Sequence, residues 1–398
     1  MAGGGIGGLT AALCLAAKGL HVRVFEAAPE FGEIGAGIQL SPNCNRVLHR
    51  LGLAGALEAA AFLPVSGQMR DWSSGETIVE VELGEGVRRR YGYPYYHIHR
   101  ADLIGALADA ARAEPRIALH TAAEVGSIEQ SAGEVSLSAD DRRYRGRALI
   151  GADGIHSAVR AFLFGPEAPA FTGTVAWRGL VPADRLPEGF VRPVSSNWLG
   201  PGGHVVHYYV RSGRLVNCVC VFEKEGWEHE SWTERGDIEE LKADFAGWHD
   251  GVRRLIGAMD PEACYKWALF DRPPMAQWGK GRVTLLGDAC HATLPFMAQG
   301  AAMAIEDGAV LAECLAAGGD VPASLKRYED LRRARTARIQ TGSRRNAALF
   351  HMHGAAAAER NRTLGASRSR TLDWLYRYDA FDLEAAAAAA KAETPDLC

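Results

Sequence analysis

The apolar positions of the chain form short strand-like runs that end in glycine turns, with helical runs between them. Three glycines open the chain in the pattern Gly3-x-Gly5-x-x-Gly8, and an alanine-rich apolar run over 9–17 follows. A short run with alternating apolar positions, 21–25, then ends in Glu26. This order predicts a glycine turn, a helix, a strand and an acidic residue.

The glycine turn has the residue types that a bound dinucleotide requires. The first glycine permits a tight turn, the second lets backbone approach a pyrophosphate, and the third lets the helix lie close to the sheet. The first N–H groups of the helix attract phosphate, and an acidic residue about 20 positions on accepts from a ribose hydroxyl. We therefore predict dinucleotide binding by Gly3, Gly5, Gly7, Gly8 and Glu26. The alternative is a glycine-rich helix start without a ligand.

The start of the chain departs from this fingerprint. A strand normally precedes the first glycine, and only Met1 and Ala2 precede Gly3. The first, central strand of the sheet is therefore expected to be largely missing. The sequence leaves open whether the start is clipped or the sheet is weakened.

Two later apolar runs also end in a glycine and an acidic residue. The run 148–152 leads into Asp153, and the run 282–286 leads into Gly287 and Asp288. A proline loop at 295–300 follows, and a long helix is predicted from near Ala301. Residues 65–81 predict a hairpin, and 171–223 are rich in strands.

Composition limits the class of protein. A chain of 398 residues predicts two interlocking domains, and a net charge of −4 without a basic stripe argues against nucleic acid. No apolar run reaches the about 20 residues of a membrane span. Eight scattered cysteines without a C-x-x-C pair predict no metal centre. Reduced thiols in a cytoplasmic protein are the simplest account.

The three turns in this order resemble the single-component FAD-dependent aromatic hydroxylases, and most of all their salicylate and 3-hydroxybenzoate hydroxylase-like branch. The segments 176–179 and 373–376 extend the resemblance over nearly the whole chain. It implies an α/β fold: a dinucleotide-binding, glutathione-reductase-like FAD domain, an interleaved β-sheet substrate domain and a C-terminal helical tail. The implied FAD domain is 1–64, 93–170 and 268–345, the substrate domain is 65–92 and 171–267, and the C-terminal helices are 346–398.

The resemblance also implies cofactor contacts. Gly5, Gly8 and Glu26 would hold the ADP half of FAD. The N–H groups at the start of the long helix would point at the flavin N1–C2=O edge, which is negative in reduced flavin. The alternative role of Asp153 is to stabilise a turn with its carboxylate. The alternative role of Arg100 is a surface salt bridge. The remaining implied cofactor residues are Arg100 beside FAD, Asp153 for FAD and the pyridine nucleotide, Gly287 and Asp288 at the ribityl chain, and Gly300 and Ala301 at the helix start.

The implied reaction uses NADH or NADPH to reduce FAD, and O2 to form a flavin C4a-hydroperoxide that attacks a small aromatic substrate. A phenol reacts as its phenolate, so a base is needed. In the strand near 204–210, His204 and Tyr208 share one face, and His207 lies on the other. The resemblance favours His204 and Tyr208 as catalytic, with His207 as competitor and a structural histidine as the alternative. Gln39, Pro295 and Phe296 are predicted to line the pocket.

Several assignments stay open. Arg178 could bind a substrate carboxylate or form a salt bridge at the domain junction, and the pair 306–307 is expected to cap a helix or to pair on the surface. The competing functions are an FAD-dependent epoxidase or oxidase on another apolar substrate, and a non-catalytic flavin-binding relative. A homodimer is a possible assembly.

Overall fold

A computed structural model describes residues 1–32, 36–224, 226, 234–366 and 372–393. The helices of this part are α1 Ile6–Ala17, α2 Pro42–Arg50, α3 Ala54–Ala60, α4 Glu85–Tyr91, α5 Arg100–Ala113, α6 Ala158–Phe164, α7 Ile238–Asp244, α8 Asp250–Gly257, α9 Asp288–His291, α10 Gly300–Ala316, α11 Val321–Phe350, α12 Gly354–Ala366, α13 Asp373–Tyr376 and α14 Leu383–Glu393.

The strands are β1 Val22–Phe25, β2 Gly37–Leu40, β3 Ser66–Asp71, β4 Thr77–Glu82, β5 Tyr96–His99, β6 Ile117–His120, β7 Ile128–Gln130, β8 Val135–Ala139, β9 Arg142–Gly146, β10 Leu149–Gly151, β11 Ala170–Pro182, β12 Val194–Gly200, β13 Gly203–Val210, β14 Leu215–Glu223, β15 Tyr265–Asp271, β16 Gly279–Lys280 and β17 Val283–Leu285.

A parallel sheet carries the glycine turns. β1 pairs with β6 and β10 pairs with β17, both in parallel. Ala2 lies between the two pairs and forms parallel bridges to Phe25 and Gly151. Its N–H donates to the Ile150 carbonyl at 2.9 Å, and the Gly3 N–H donates to the Phe25 carbonyl at 2.8 Å. Ala2 thus joins the two sides of the sheet at the position between β1 and β10.

A second sheet has the strand order β15-β11-β14-β13-β12-β3-β4 and includes the predicted hairpin. Its pairs are antiparallel except β12 with β3. One face packs against α7 and α8 around Trp177, Trp198 and Trp248. The opposite face packs Leu199 and Val221 against Phe296 and Phe350, which belong to segments that follow the glycine turns. A substrate on that face would therefore lie between the two sheets.

The predicted domain division remains a prediction. β15 continues the second sheet to Asp271, past the implied boundary at 267/268, and α11 runs through the implied boundary at 345/346. The implied ranges also include 33–35, 225, 227–233, 367–371 and 394–398, which lie outside the described residues.

Helices α1 and α10 cross closely and run parallel. A Cβ on Gly7 would lie 3.1 Å from Ala304 Cβ, and a Cβ on Gly308 would lie 3.3 Å from Ala11 Cβ. From the first contact to the second, the position advances by four residues along α1 and by four residues along α10. The two helices therefore have the same chain direction. Both helices therefore begin at the same end of the molecule, and their positive dipole ends add.

Among the described residues, no helix combines the length and the apolar character that crossing a bilayer requires. The same part of the chain has no cluster of three or more His, Cys, Asp or Glu suited to a metal ion.

Candidate active site

Close backbone contacts shape the first glycine turn. Gly3 has φ +95°, a conformation that favours glycine, and a Cβ there would lie 2.3 Å from the Ala152 carbonyl oxygen. A Cβ on Gly8 would lie 2.1 Å from the Gly3 carbonyl oxygen. Both positions require glycine because α1 begins directly against the turn.

Gly5 differs from its neighbours because it faces open space. A Cβ built on Gly5 meets no atom of the described residues within 4 Å, and none of their side chains caps α1. The first N–H groups of α1, those of Ile6, Gly7 and Gly8, have no acceptor inside the helix. Open space beside unpaired donors at a positive helix end suits a pyrophosphate.

Glu26 holds this turn together. One of its carboxylate oxygens accepts from the Gly4 N–H at 2.7 Å, and the other accepts from the Ala28 N–H at 2.9 Å. The side chain stays partly accessible, and each oxygen has a second lone pair for a ligand hydroxyl. The structure thus adds a role in ordering the turn and leaves room for the predicted contact with a ribose.

The second turn lies beside the first. A Cβ on Gly3 would also lie 2.9 Å from the Asp153 nitrogen. The Asp153 carboxylate accepts from Ser157 Oγ at 2.6 Å and from the Val159 N–H at 3.1 Å, and it thereby fixes the start of α6. This geometry matches a turn carboxylate at least as well as a cofactor contact.

The third turn completes the group. The Leu286 N–H donates to the Gly151 carbonyl at 2.8 Å, so Gly287 and Asp288 follow directly beside the second turn. The Asp288 side chain is accessible to solvent. The protein around it nevertheless raises its pKa by burial, against the opposing charges of His291 and Arg100. A carboxylate that is both accessible and crowded by protein lies in a cleft.

Arg100 and the start of α10 lie at the same cleft. Burial lowers the pKa of Arg100 and the nearby Asp288 raises it, which brings these two predicted cofactor residues together. A Cβ on Gly300 would meet only Thr293 Cγ2, at 3.6 Å, and α10 has no side-chain cap. The N–H groups of Gly300 and Ala301 therefore lack acceptors inside the helix.

A buried ion network supports the third turn, so the expected surface position of residues 306–307 is wrong. Asp307 accepts from Arg332 Nε at 2.7 Å, from the Gly287 N–H at 3.1 Å, and bonds to His291 Nε2 at 2.5 Å. Burial alone would raise the pKa of Asp307, but His291 and Arg332 together lower it. These side chains are almost fully buried. The interior tolerates them because opposite charges on α9, α10 and α11 neutralise one another.

Glu306 forms the second half of this network. Its carboxylate accepts from Arg335 Nη2 at 2.8 Å and from Asn43 Nδ2 at 2.6 Å. Asn43 also donates to the Gln299 side chain at 3.1 Å, directly before α10. The network therefore fixes the helix start from which the N–H groups of Gly300 and Ala301 project.

These features fit FAD. The chain presents two uncapped helix starts at one end of the molecule, a glycine turn with open space at Gly5, and a cleft carboxylate beside Arg100. A ligand with a central pyrophosphate, sugar hydroxyls and a ring that becomes anionic needs this set of donors and acceptors.

On the second sheet, β13 separates the two candidate bases. His207 points to the core that contains α7 and α8, where Trp198 Nε1 donates to its Nε2 at 3.0 Å. Burial, with a smaller effect of Arg70, lowers the pKa of His207 to about 4. His204 and Tyr208 lie on the opposite face, so the competitor His207 is separated from them.

Tyr208 belongs to a hydrogen-bonded cluster at one end of this face. Burial raises the pKa of Tyr208, and the neighbouring Gln39 side chain lowers it. The Tyr95 hydroxyl donates to Gln39 Oε1 at 2.7 Å. The ring of His97 lies 4.4 Å from the ring of Tyr208. Tyr95 and His97 were not predicted. The antiparallel pairing of β2 with β5 places His97 opposite Gln39 and brings this segment to the cluster. The sequence alone does not show which strands pair, so these two residues could not be predicted.

His204 lies at the other end, four residues from Tyr208 and so about 13 Å away along the strand. Its ring contacts Phe296 and Phe350, with centroids 4.8 and 5.2 Å away. Burial, with a smaller effect of His351, lowers the pKa of His204 well below its ordinary value, so the ring is neutral at pH 7. Pro295 is exposed beside the buried Phe296. Neutral His204 therefore has one ring nitrogen without a proton, which can accept a hydrogen bond.

Hydrogen bonds through His351 and Glu223 connect His204 with the solvent. His204 Nδ1 lies 2.9 Å from His351 Nε2, and His351 Nδ1 lies 2.8 Å from Glu223 Oε1. The sequence did not indicate this chain, because 147 positions separate the two histidines. The only local signal is a pair of histidines at 351 and 353, directly after α11.

Arg178 lies on the sheet side of the cleft. It is buried, and its guanidinium stands 5.1 Å from the ring centroid of Trp267. Burial, and then the charge of Arg100, lower the pKa of Arg178 to about 10. Arg178 therefore remains a cation close to the cofactor side of the junction.

The comparisons with known proteins agree with this geometry. The family described as "FAD binding domain" matches residues 1–343. The chain is 43% identical over 381 residues to a 3-amino-4-hydroxybenzoate 2-monooxygenase of Streptomyces platensis, covering 95% of each protein. It is 40% identical over 385 residues to a 3-hydroxybenzoate 6-hydroxylase of Polaromonas naphthalenivorans, again covering 95% of each.

Solved structures share the fold. A salicylate hydroxylase substrate complex is 28% identical, with a TM-score of 0.81 over 98% of this chain and 96% of that one. HpxO of Klebsiella pneumoniae complexed with FAD and uric acid is 27% identical, with a TM-score of 0.82 over 98% and 95%. The predicted α/β fold and FAD as cofactor are confirmed. The chain therefore belongs to the FAD binding domain family, and it is a flavoprotein monooxygenase.

Proposed function

We propose that this enzyme hydroxylates the ring of a small phenolic acid of the hydroxybenzoate class, with NADH or NADPH as electron donor and O2 as oxidant. The observation that carries the proposal is the face of β13. Neutral His204 lies at one end, the Tyr208–Gln39 cluster lies at the other, and Val206 between them is apolar. A span of about 13 Å along the strand has room for one substituted aromatic ring. The names of the relatives support the same class.

We assign the cofactor contacts from the geometry of the cleft. When bound, FAD supplies the reducing equivalents and the activated oxygen. The α1 N–H groups of Gly7 and Gly8, with Gly5 leaving space, would hold the pyrophosphate, and Glu26 would hold the ribose. The other assignments are Gly3, Asp153 and Gly287 shaping the turns, Asp288 with Arg100 at the ribityl chain, and Gly300 and Ala301 donating to the flavin.

His204 is the proposed general base. Its Nε2 would take the phenol proton, because an electrophilic oxygen is attacked by the more electron-rich phenolate. Tyr208 and Gln39 would orient the ring by hydrogen bonds. Phe296 and Pro295 would close the pocket on the cofactor side and exclude water.

Product analysis tests the proposal. FAD-loaded protein is incubated with a panel of hydroxybenzoates, with NADH and NADPH in separate arms. We expect one phenolic acid to accelerate oxidation of the nicotinamide and to yield an equal amount of hydroxylated product. No product from any phenolic acid, with FAD retained, would instead support an epoxidase or oxidase, or a non-catalytic relative.

We further propose a cytoplasmic enzyme, which the seven buried thiols of the described residues support, since none forms a disulfide. Light scattering at several protein concentrations would test the homodimer.

A further inference from the structure

The chain of side chains behind His204 connects the pocket with solvent. His204 is 2% exposed and His351 is 7% exposed, whereas most of the Glu223 side chain is in water. The three groups are joined in series by bonds of 2.9 and 2.8 Å. The carboxylate thus stays solvated while its hydrogen-bond partner reaches into the apolar interior.

This order of groups fixes where each proton lies. The Glu223 carboxylate can only accept, so His351 Nδ1 must carry the proton between them. Neutral His351 then presents an unprotonated Nε2, which can only accept. His204 Nδ1 must therefore donate to it, and His204 Nε2 is left without a proton. The hydrogen bond to His351 uses Nδ1, so Nε2 remains on the other side of the His204 ring.

The backbone holds this arrangement in place. The Gly202 N–H donates to the His351 carbonyl at 3.1 Å, and the Glu223 N–H donates to the Gly202 carbonyl at 2.8 Å. Gly202 has φ +66°, a conformation that favours glycine. One turn next to β13 therefore fixes both supporting residues relative to the strand that carries His204.

We propose that Glu223 and His351 are positioning residues that hold His204 in the tautomer whose Nε2 is free to take the phenol proton. The proposal rests on the proposed function of His204 as base. In that step the phenol O–H bond breaks, an N–H bond forms at His204 Nε2, and His204 becomes an imidazolium. Its Nδ1–H then makes a charge-assisted bond to His351, which Glu223 polarises.

The tautomer is measured without any substrate. Nitrogen-15 NMR of histidine-labelled holoenzyme, with the His204 signals assigned by their loss in His204→Gln, separates the two neutral tautomers. We expect the wild type to be protonated at Nδ1 and His351→Phe to lose that preference. In His351→Gln the amide can accept from His204 and donate to Glu223, so the preference should return. A wild-type Nε2–H tautomer, or an unchanged Nδ1–H tautomer in His351→Phe, overturns the proposal.

Kinetics with the phenolic acid found in the panel give the second readout. We expect His351→Phe to lower kcat by about 10-fold or more with little change in KM. This loss is smaller than the whole rate effect of a general base, because His204 itself is still present. His351→Gln should recover most of kcat, and His353→Gln, an exposed histidine two residues on, should match the wild type. Equal losses in His351→Phe and His351→Gln would indicate a merely structural role and reject the proposal.

The two readouts separate the two claims. If no phenolic acid is hydroxylated but the NMR result holds, the proposed substrate class fails and the positioning role stands. If a phenolic acid is hydroxylated and the His204 tautomer does not depend on residue 351, the proposed function stands and the positioning role fails.

Discussion

The cofactor side and the substrate side of the cleft are built differently. On the cofactor side each turn is a short contiguous segment whose shape follows from local requirements, such as the positive φ of Gly3 and the bond between Ser157 and Asp153, and backbone bonds join the turns to one another. On the substrate side the partners are distant: His204 bonds His351, Gln39 bonds Ser195, and Asn217 bonds the Gly37 N–H across 180 positions. Backbone requirements leave local sequence patterns, whereas side-chain pairs between sheets leave none.

The largest expected effect tests whether the cofactor side depends on local backbone fit. In Gly8→Ala the new Cβ would lie 2.1 Å from the backbone oxygen of Gly3, so α1 must move away from the turn. We expect protein that is insoluble or free of flavin, measured by flavin absorbance per protein. Gly105→Ala, whose Cβ meets no atom within 4 Å inside α5, is the control and should gain up to about 1 kcal/mol.

The next prediction tests the buried ion network that supports the cofactor side. Asp307→Asn removes one of the two buried carboxylates that pair with Arg332, the other being Glu306. The buried network then keeps an uncompensated positive charge, and we expect a loss of about 3–5 kcal/mol in unfolding free energy at pH 7. Because the pKa of Asp307 is lowered in the folded protein, its contribution is present above about pH 4 and is lost as the pH falls further. Urea unfolding should show that the difference in unfolding free energy between Asp307→Asn and the wild type becomes smaller below that pH.

A substitution in an exposed ion pair is the control for Asp307→Asn. Asp109 is paired with Arg112 on an exposed part of α5, and Asp109→Asn should stay within about 0.5 kcal/mol of wild type. Similar losses in both variants would contradict the special role of the buried network.

A smaller effect is expected where a glycine faces open space. Within the part of the chain that the structure describes, the Cβ of Gly5→Ala meets no atom within 4 Å. It occupies the space that we assign to the pyrophosphate. We expect an unchanged melting temperature of the apoprotein and an FAD dissociation constant raised by about 10-fold, or about 1.4 kcal/mol. Titration of apoprotein with FAD measures it, and unaltered affinity would place the pyrophosphate elsewhere.

The smallest effect is expected on the substrate side. Tyr208→Phe removes the hydroxyl beside Gln39, which we propose to bond the substrate, and keeps the ring against His97. A neutral hydrogen bond contributes about 1 kcal/mol, so KM for the phenolic acid should rise by about 5-fold while FAD binding is unchanged. A fall in flavin content would show that Tyr208 belongs to the cofactor side.

Sequence patterns predicted the elements that follow from backbone chemistry. The glycine turns, the hairpin of β3 and β4, and the shared face of His204 and Tyr208 follow from φ requirements and strand alternation. Three features could not be predicted. The bridging position of Ala2 depends on two other strands, the burial of Glu306 and Asp307 depends on arginines one helix later, and the partnership of His204 with His351 depends on how α11 ends beside β14.

The role of His204 as base is tested most directly by the amount of hydroxylated product that His204→Ala forms per NADH or NADPH oxidised at full flavin content. We expect flavin absorbance equal to wild type and a product yield reduced by about 100-fold or more. His353→Ala should keep both at the wild-type level. Unchanged product yield in His204→Ala, or a loss of flavin together with product, would contradict the separation of cofactor binding from proton transfer.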